Sequence, residues 1–169
     1  MTEDLTTSTG PDPASYADPV AYARDLEHVF ARTWHLVGDD RGNPGDSCWL
    51  PTTLLPDSLD EPRLFTRVDG QVRAFANVCT HRAALLATEG GQGRVLKCPY
   101  HGRCFGLDGQ YKAAVGFDGA QPDLEPVPSA RWGGLLWAAA EPRKRFDVVA
   151  ALLQPLAFAR WASFEYDPD

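Results

Sequence analysis

The sequence predicts a mostly β domain, an antiparallel sandwich or barrel preceded by one N-terminal α-helix. Three observations carry the prediction. From about residue 45 onward the apolar residues come in short runs bounded by Gly, Pro or Asp, the texture of strands joined by turns. Two Asp-Gly dipeptides, Asp69-Gly70 and Asp108-Gly109, lie between such runs, as tight hairpin turns require. Before residue 45 the apolar residues recur at helical spacing instead.

Residues 1–15 are polar and rich in Thr, Ser and Pro, which predicts a flexible tail. Asp18-Pro19 opens a helix: Asp caps free amides and Pro fits the first helical position. Tyr22, Leu26, Val29, Phe30, Trp34 and Val37 continue its apolar face, and Gly38 is expected to stop it. Segments 64–68 and 72–78 form a hairpin about Asp69-Gly70. Segment 93–97 is another strand, and 104–106 with 110–112 form a second hairpin about Asp108-Gly109. Segment 131–138 is expected to be a single strand in which Gly133-Gly134 makes a bulge or a close approach. A last helix over about 146–153 stops near Pro155, and 156–169 is expected to be a C-terminal tail. The folded unit is one domain, 16–155, long enough to bury a real core without a metal.

The formal net charge is -7, from 23 acidic and 16 basic residues. That balance excludes the basic surface of a nucleic-acid binder, and the one basic run, Arg143-Lys144-Arg145, reads as solvated surface. No apolar run approaches the roughly 18 residues of a membrane span. The start, MTEDL, lacks the basic and apolar parts of a secretory signal, so the expected location is the cytoplasm. Four cysteines are too few for a disulfide scaffold at this length, and their spacing asks for a metal instead.

The chemistry concentrates in 77–109, NVCTHRAALLATEGGQGRVLKCPYHGRCFGLDG. Cys79-Thr80-His81 and Cys98-Pro99-Tyr100-His101 each follow a predicted strand, with 16 residues between His81 and Cys98. Four such donors suit a single tetrahedral zinc ion. They equally suit a two-iron, two-sulfide cluster in which two His replace two Cys on one iron. Zinc sites usually pair like with like, whereas here each loop supplies one Cys and one His. Such a loop straddles a two-iron rhomb, which favours the cluster. Cys48 and Cys104 are not expected to be ligands, although Cys104, three residues past His101, could face the cluster's underside. His28 and His35, seven apart on the predicted helix, read as ordinary residues of its face.

The ligand pattern and its surroundings, NVCTHRAALL and CPYHGRCFGLDGQ, resemble the N-terminal Rieske domain of ring-hydroxylating oxygenase alpha subunits. YADPVAYARDLEHVFARTWHLVGDD is similar to the helix before the Rieske sheet, and DLEPVPSARWGGLLWAAAEP to the strand that returns after it. The resemblance spans roughly 16–155. It implies a Rieske-type sandwich or barrel with a small cluster-binding subdomain and a [2Fe-2S] cofactor. In it Cys79 and Cys98 hold the inner iron, and His81 and His101 the outer one. It further implies an oxidoreductase component that takes single electrons from a reductase or ferredoxin and passes them to a mononuclear iron oxygenase site. In the family that site, held by two His and a carboxylate, lies in a larger domain expected to be absent here. Alone, the chain would move electrons without oxidising a substrate.

Two departures stand out: His101-Gly102-Arg103 where the family commonly has His-Gly-Trp, and His81-Arg82-Ala83 where His-Arg-Gly is common. The extra cysteines of respiratory Rieske proteins are missing from both loops. Arg82, Arg94, Lys97 and Arg103 read either as solvated loop charges or as a basic rim that docks an acidic ferredoxin or reductase. The alternatives to an oxygenase component are a stand-alone Rieske ferredoxin and a zinc-stapled, non-enzymatic interaction module.

Overall fold

A computed structural model of the chain describes residues 10, 12–40, 45–116 and 119–156. The expected tails lie largely outside the described residues. Of them, Pro13–Tyr16 forms a 3-10 turn capped by Asp12, and Leu156 closes another over Gln154–Leu156.

Helix α1 spans Pro19–His28 and begins as its sequence dictates, with the Asp18 carboxylate accepting from the Val20 N–H at 2.9 Å. It ends ten residues before Gly38, contrary to expectation. A 3-10 turn over Phe30–Arg32 follows, and the Thr33 hydroxyl donates to the Val29 carbonyl at 3.0 Å, alongside the Arg32 N–H at 3.1 Å. Residues His35–Asp39 then form strand β1. Their backbone is taken by an antiparallel ladder with Leu135–Ala138 (His35↔Ala138 to Asp39↔Leu135), and this distant partner overrides the helical spacing.

Eight more strands come between β1 and that partner. They are β2 Cys48–Leu54, β3 Glu61–Val68, β4 Gln71–Ala76, β5 Gly91–Gln92, β6 Val95–Lys97, β7 Cys104–Gly106, β8 Tyr111–Ala113 and β9 Ser129–Trp132. Strand β10 is Leu135–Ala138, and helix α2 is Phe146–Leu153. They form three antiparallel sheets, in the orders β1-β10-β9, β4-β3-β2-β5 and β6-β7-β8. Both Asp-Gly hairpins and the second helix lie where expected. The segment 131–138 does not. It is two strands, β9 and β10, folded on a Gly133-Gly134 turn with φ of 59° and 86°. A two-residue turn matching strand twist needs positive φ at both positions, which two glycines give without strain.

Strand β3 is the centre of the domain. Arg63, Leu64, Phe65 and Thr66 are all buried, because successive side chains of a strand face opposite layers. Leu64 and its neighbour Phe75 on β4 face the core beneath the β6-β7-β8 sheet, with Leu86, Leu96, Phe105, Leu107 and Leu124. Phe65 and Ala74 face the other core, with Leu54 of β2 and with Leu136 and Ala138 of β10. Phe65 and Phe105 have no exposed surface, and full burial of each stabilises the fold by about 1.5–3 kcal/mol. The Thr66 hydroxyl donates to the Leu107 carbonyl at 2.8 Å, so β3 also holds the small subdomain by a buried hydrogen bond.

Candidate metal centre

The four predicted ligands lie on two loops of the same build. One leaves β4 and the other joins β6 to β7. In the first, the Cys79 N–H donates to the Ala84 carbonyl at 2.8 Å, and the Ala83 N–H returns to the Cys79 carbonyl at 3.0 Å. In the second, the Cys98 N–H donates to the Arg103 carbonyl at 2.7 Å, and the Gly102 N–H returns to the Cys98 carbonyl at 3.0 Å. Each loop therefore closes on its own cysteine through the fourth and fifth residues beyond it. The fourth is left-handed in both, with φ of 52° at Ala83 and 71° at Gly102. Glycine adopts this conformation freely, whereas an L-residue such as Ala83 is strained by about 1–2 kcal/mol.

This backbone sorts the donors by kind. Cys79 and Cys98 point into the core and are 3% and 2% exposed. Their side chains are within hydrogen-bonding reach of one another. His81 is half-buried and His101 exposed, and their rings meet edge to face with centroids 4.8 Å apart. The Tyr100 ring lies 3.8 Å from His101, on the outer face. The donors come as a thiol pair below and an imidazole pair above. A single tetrahedral ion gathers its four ligands about one point, whereas a two-iron cluster takes two per iron. The donor set fits the cluster.

Burial pushes the Cys79 thiol up, and the adjacent Cys98 adds to this, while the His81 N–H and the Arg103 charge work against it. His81 is held below its ordinary value, first by partial desolvation and then by His101, Arg103 and Arg82. A neutral imidazole is the form that binds a metal.

Arg103 is not part of an exposed basic rim. Arg82, Arg94 and Lys97 are exposed, but Arg103 is 4% exposed. Its guanidinium donates to the Thr80 hydroxyl at 3.3 Å and to the Gln121 amide oxygen, and lies 5.8 Å from the centre of the Tyr111 ring. It fills the space beneath the first loop, where its stem packs and its planar head forks between two acceptors. Thr80, between Cys79 and His81, passes the tie on by donating to the Pro122 carbonyl at 3.1 Å.

Asn77 is a residue that sequence reasoning missed. It is 3% exposed at the mouth of the first loop. Its amide donates to the Ala87 carbonyl at 2.7 Å and accepts from the Ala87 N–H at 3.1 Å, clamping the loop's two ends. A polar residue before a cysteine carries no sign of this in sequence. Cys48 is buried in β2 against the Gly45 carbonyl, and the half-buried Cys104 lies 3.4 Å from the Gly102 carbonyl. His28 ends α1 beside Glu27, and His35 lies on β1 against the Phe30 carbonyl, so the two share no helix face.

Residues 49–122 match the family described as Rieske [2Fe-2S] domain. The chloroplastic choline monooxygenase of Amaranthus tricolor is 36% identical over 125 residues, covering 70% of this chain and 27% of that protein. The carnitine monooxygenase oxygenase subunit of Escherichia coli K12 is 31% identical over 134 residues, covering 75% and 35%. The large oxygenase component of naphthalene 1,2-dioxygenase from Pseudomonas aeruginosa is 32% identical over 99 residues, covering 58% and 21%. Among solved structures, the quaternary ammonium Rieske monooxygenase CntA superposes with a TM-score of 0.70 at 23% identity, over 83% of this chain and 41% of that one. Naphthalene 1,2-dioxygenase from Rhodococcus gives 0.72 at 21% identity, over 85% and 35%. These likenesses show the fold. The chain thus spans about a fifth to a third of the length of the curated relatives it matches.

Proposed function

Because this chain carries a Rieske [2Fe-2S] domain of the kind found in the N-terminal part of Rieske oxygenases, we propose that it relays single electrons within such a system. The donor is a reductase or ferredoxin, and the acceptor is a mononuclear iron oxygenase site on another domain or chain. A cytoplasmic setting, where the four free thiols stay reduced, goes with this reading. No helix among the described residues is long and apolar enough to cross a membrane.

The observation that supports the reading is the sorting of the donors. Cys79 and Cys98 would hold the inner iron and His81 and His101 the outer. A cluster so bound accepts and releases one electron, at a higher potential than four thiolates would allow. The residues do the rest. The buried cysteines sit among Leu64, Phe75, Leu96 and Phe105, which keep water from the thiolates. His81 and His101 are the ligands at the surface, so a partner approaches from their side. Arg82 and Lys97 lie exposed on the same two loops as charges for an acidic partner.

Iron and acid-labile sulfide analysis, with an EPR spectrum after dithionite reduction, tests the reading. About two irons and two sulfides per chain with a Rieske-type signal are expected. Cys98→Ser should lose both, and His101→Cys should keep a cluster of lowered potential. Zinc without sulfide, after anaerobic preparation from iron-replete cells, would leave a metal-stapled binding module instead.

A further inference from the structure

We propose that Arg103 is a positioning residue that joins the two ligand loops and places a fixed positive charge beside the cluster, favouring its reduced state. The inference rests on the reading of a [2Fe-2S] centre given above. Arg103 belongs to both loops at once. Its carbonyl accepts the Cys98 N–H at 2.7 Å, and its guanidinium reaches Thr80, the residue between Cys79 and His81, at 3.3 Å. Its head is also held by Gln121 and stacked near Tyr111, so the charge is fixed in place rather than free to swing outward.

The sign follows from electron counting. Two ferric irons, two sulfides and two thiolates are formally neutral together, and one added electron leaves a single negative charge. A cation at short range, in a medium of lower dielectric than water, stabilises the charged state over the neutral one. Arg103 is only 4% exposed, so solvent screens it little. Where the family commonly has a neutral Trp, this chain has a cation. Its potential should therefore lie above that of its own neutral variants.

The experiment compares the wild-type holoprotein with R103K, R103Q and R103W. Iron and sulfide are measured in each, and the midpoint is taken by EPR-monitored redox titration. R103Q and R103W should bind the cluster with a reduced-to-oxidised ratio at least tenfold lower at a given potential, a fall of 59 mV for one electron. R103K, which keeps the charge but not the fork, should stay within threefold of wild type. Loaded neutral variants that titrate with wild type would overturn the proposal and leave the electron-carrier reading standing. If Gln loses the cluster, Trp supplies the neutral comparison. Loss in both with retention in Lys supports a need for the charge, and loss in Lys as well refutes it, because shape alone would then be required. A wild-type protein without iron and sulfide would sink the underlying reading, and this inference with it.

Discussion

Asn77→Ala should open the first ligand loop. The substitution removes two hydrogen bonds, from Asn77 Nδ2 to the Ala87 carbonyl and from the Ala87 N–H to Asn77 Oδ1. Each contributes about 1 kcal/mol net, and a polar group left buried without its partner costs about 1–3 kcal/mol. Ala87 is half-buried, so water recovers part of that penalty. The expected loss is therefore about 2–4 kcal/mol, or a fall in Tm of about 4–16 °C for a chain of this size. Backbone bonds from Asn77 N–H to Pro62 and from Leu86 N–H to Asn77 remain possible, so the strand should persist while the loop frays. Urea unfolding should show a lower midpoint with an unchanged slope, and the variant should release iron faster to a chelator. Asn77→Asp keeps an acceptor and loses the donor, and should fall between. Glu89→Ala, at an exposed position near the same loop, should stay within about 0.5 kcal/mol of wild type. Asn77→Ala within that same margin would refute the clamp.

Ala83→Gly should relieve the left-handed strain of about 1–2 kcal/mol while loosening the unfolded chain by about 0.4–1 kcal/mol. A net gain of about 0.5–1 kcal/mol by denaturant titration is expected, and a loss would contradict the strain. Asp40 Oδ2 accepts from Arg67 at 2.8 Å and from Arg131 at 2.6 Å, at 15% exposure, joining the end of β1 to β3 and β9. Asp40→Ala should cost about 2–4 kcal/mol, less than a fully buried pair because Arg131 is half-exposed, and thermal melts would show it. The Asp108 carboxyl is raised by partial desolvation but more strongly lowered by the Gln110 N–H and Lys112, so its net shift is downward from 3.8. Its contribution is full above that value and is lost as pH falls through the lower folded value. Asp108→Asn should therefore be less stable than wild type near neutrality, with the gap closing in acid below about pH 4. A gap that widens in acid would reverse the sign.

What was legible in the sequence is what depends on neighbours in the chain. Asp18-Pro19 starts a helix because a carboxylate caps the amide two residues on. Asp69-Gly70 and Asp108-Gly109 turn hairpins by their own backbone preferences. The two Cys-His loops stand out because Cys and His, the donors a metal would demand, recur in each at short spacing. The end of α1 was not legible, since the pairing of His35 with Ala138 decides it. Gly133-Gly134 fits both a bulge and a turn in isolation, and only the pairing of Leu135 with Trp132 separates them. Arg103 reads as surface because arginine is almost never fully buried without partners. Its partners Thr80, Gln121 and Tyr111 come from three separate segments, and the missing Trp was its one trace.

The repeated loop explains how so small a subdomain would sort four ligands. Main-chain bonds close each turn on its cysteine, so the position of each thiol is set by backbone and not by side-chain choice. The cysteine is the residue that leaves a strand toward the core, and the histidine, two or three residues later, lies on the outer side of the turn. That arrangement needs a left-handed residue at the fourth place in both loops. Glycine fills it in the second, and alanine in the first, where Asn77 and Arg103 hold the loop from its mouth and from below. Strain at Ala83 and the two clamps are thus one system. Ala83→Gly should lessen the damage done by Asn77→Ala, so that the double variant is more stable than the sum of the single effects predicts.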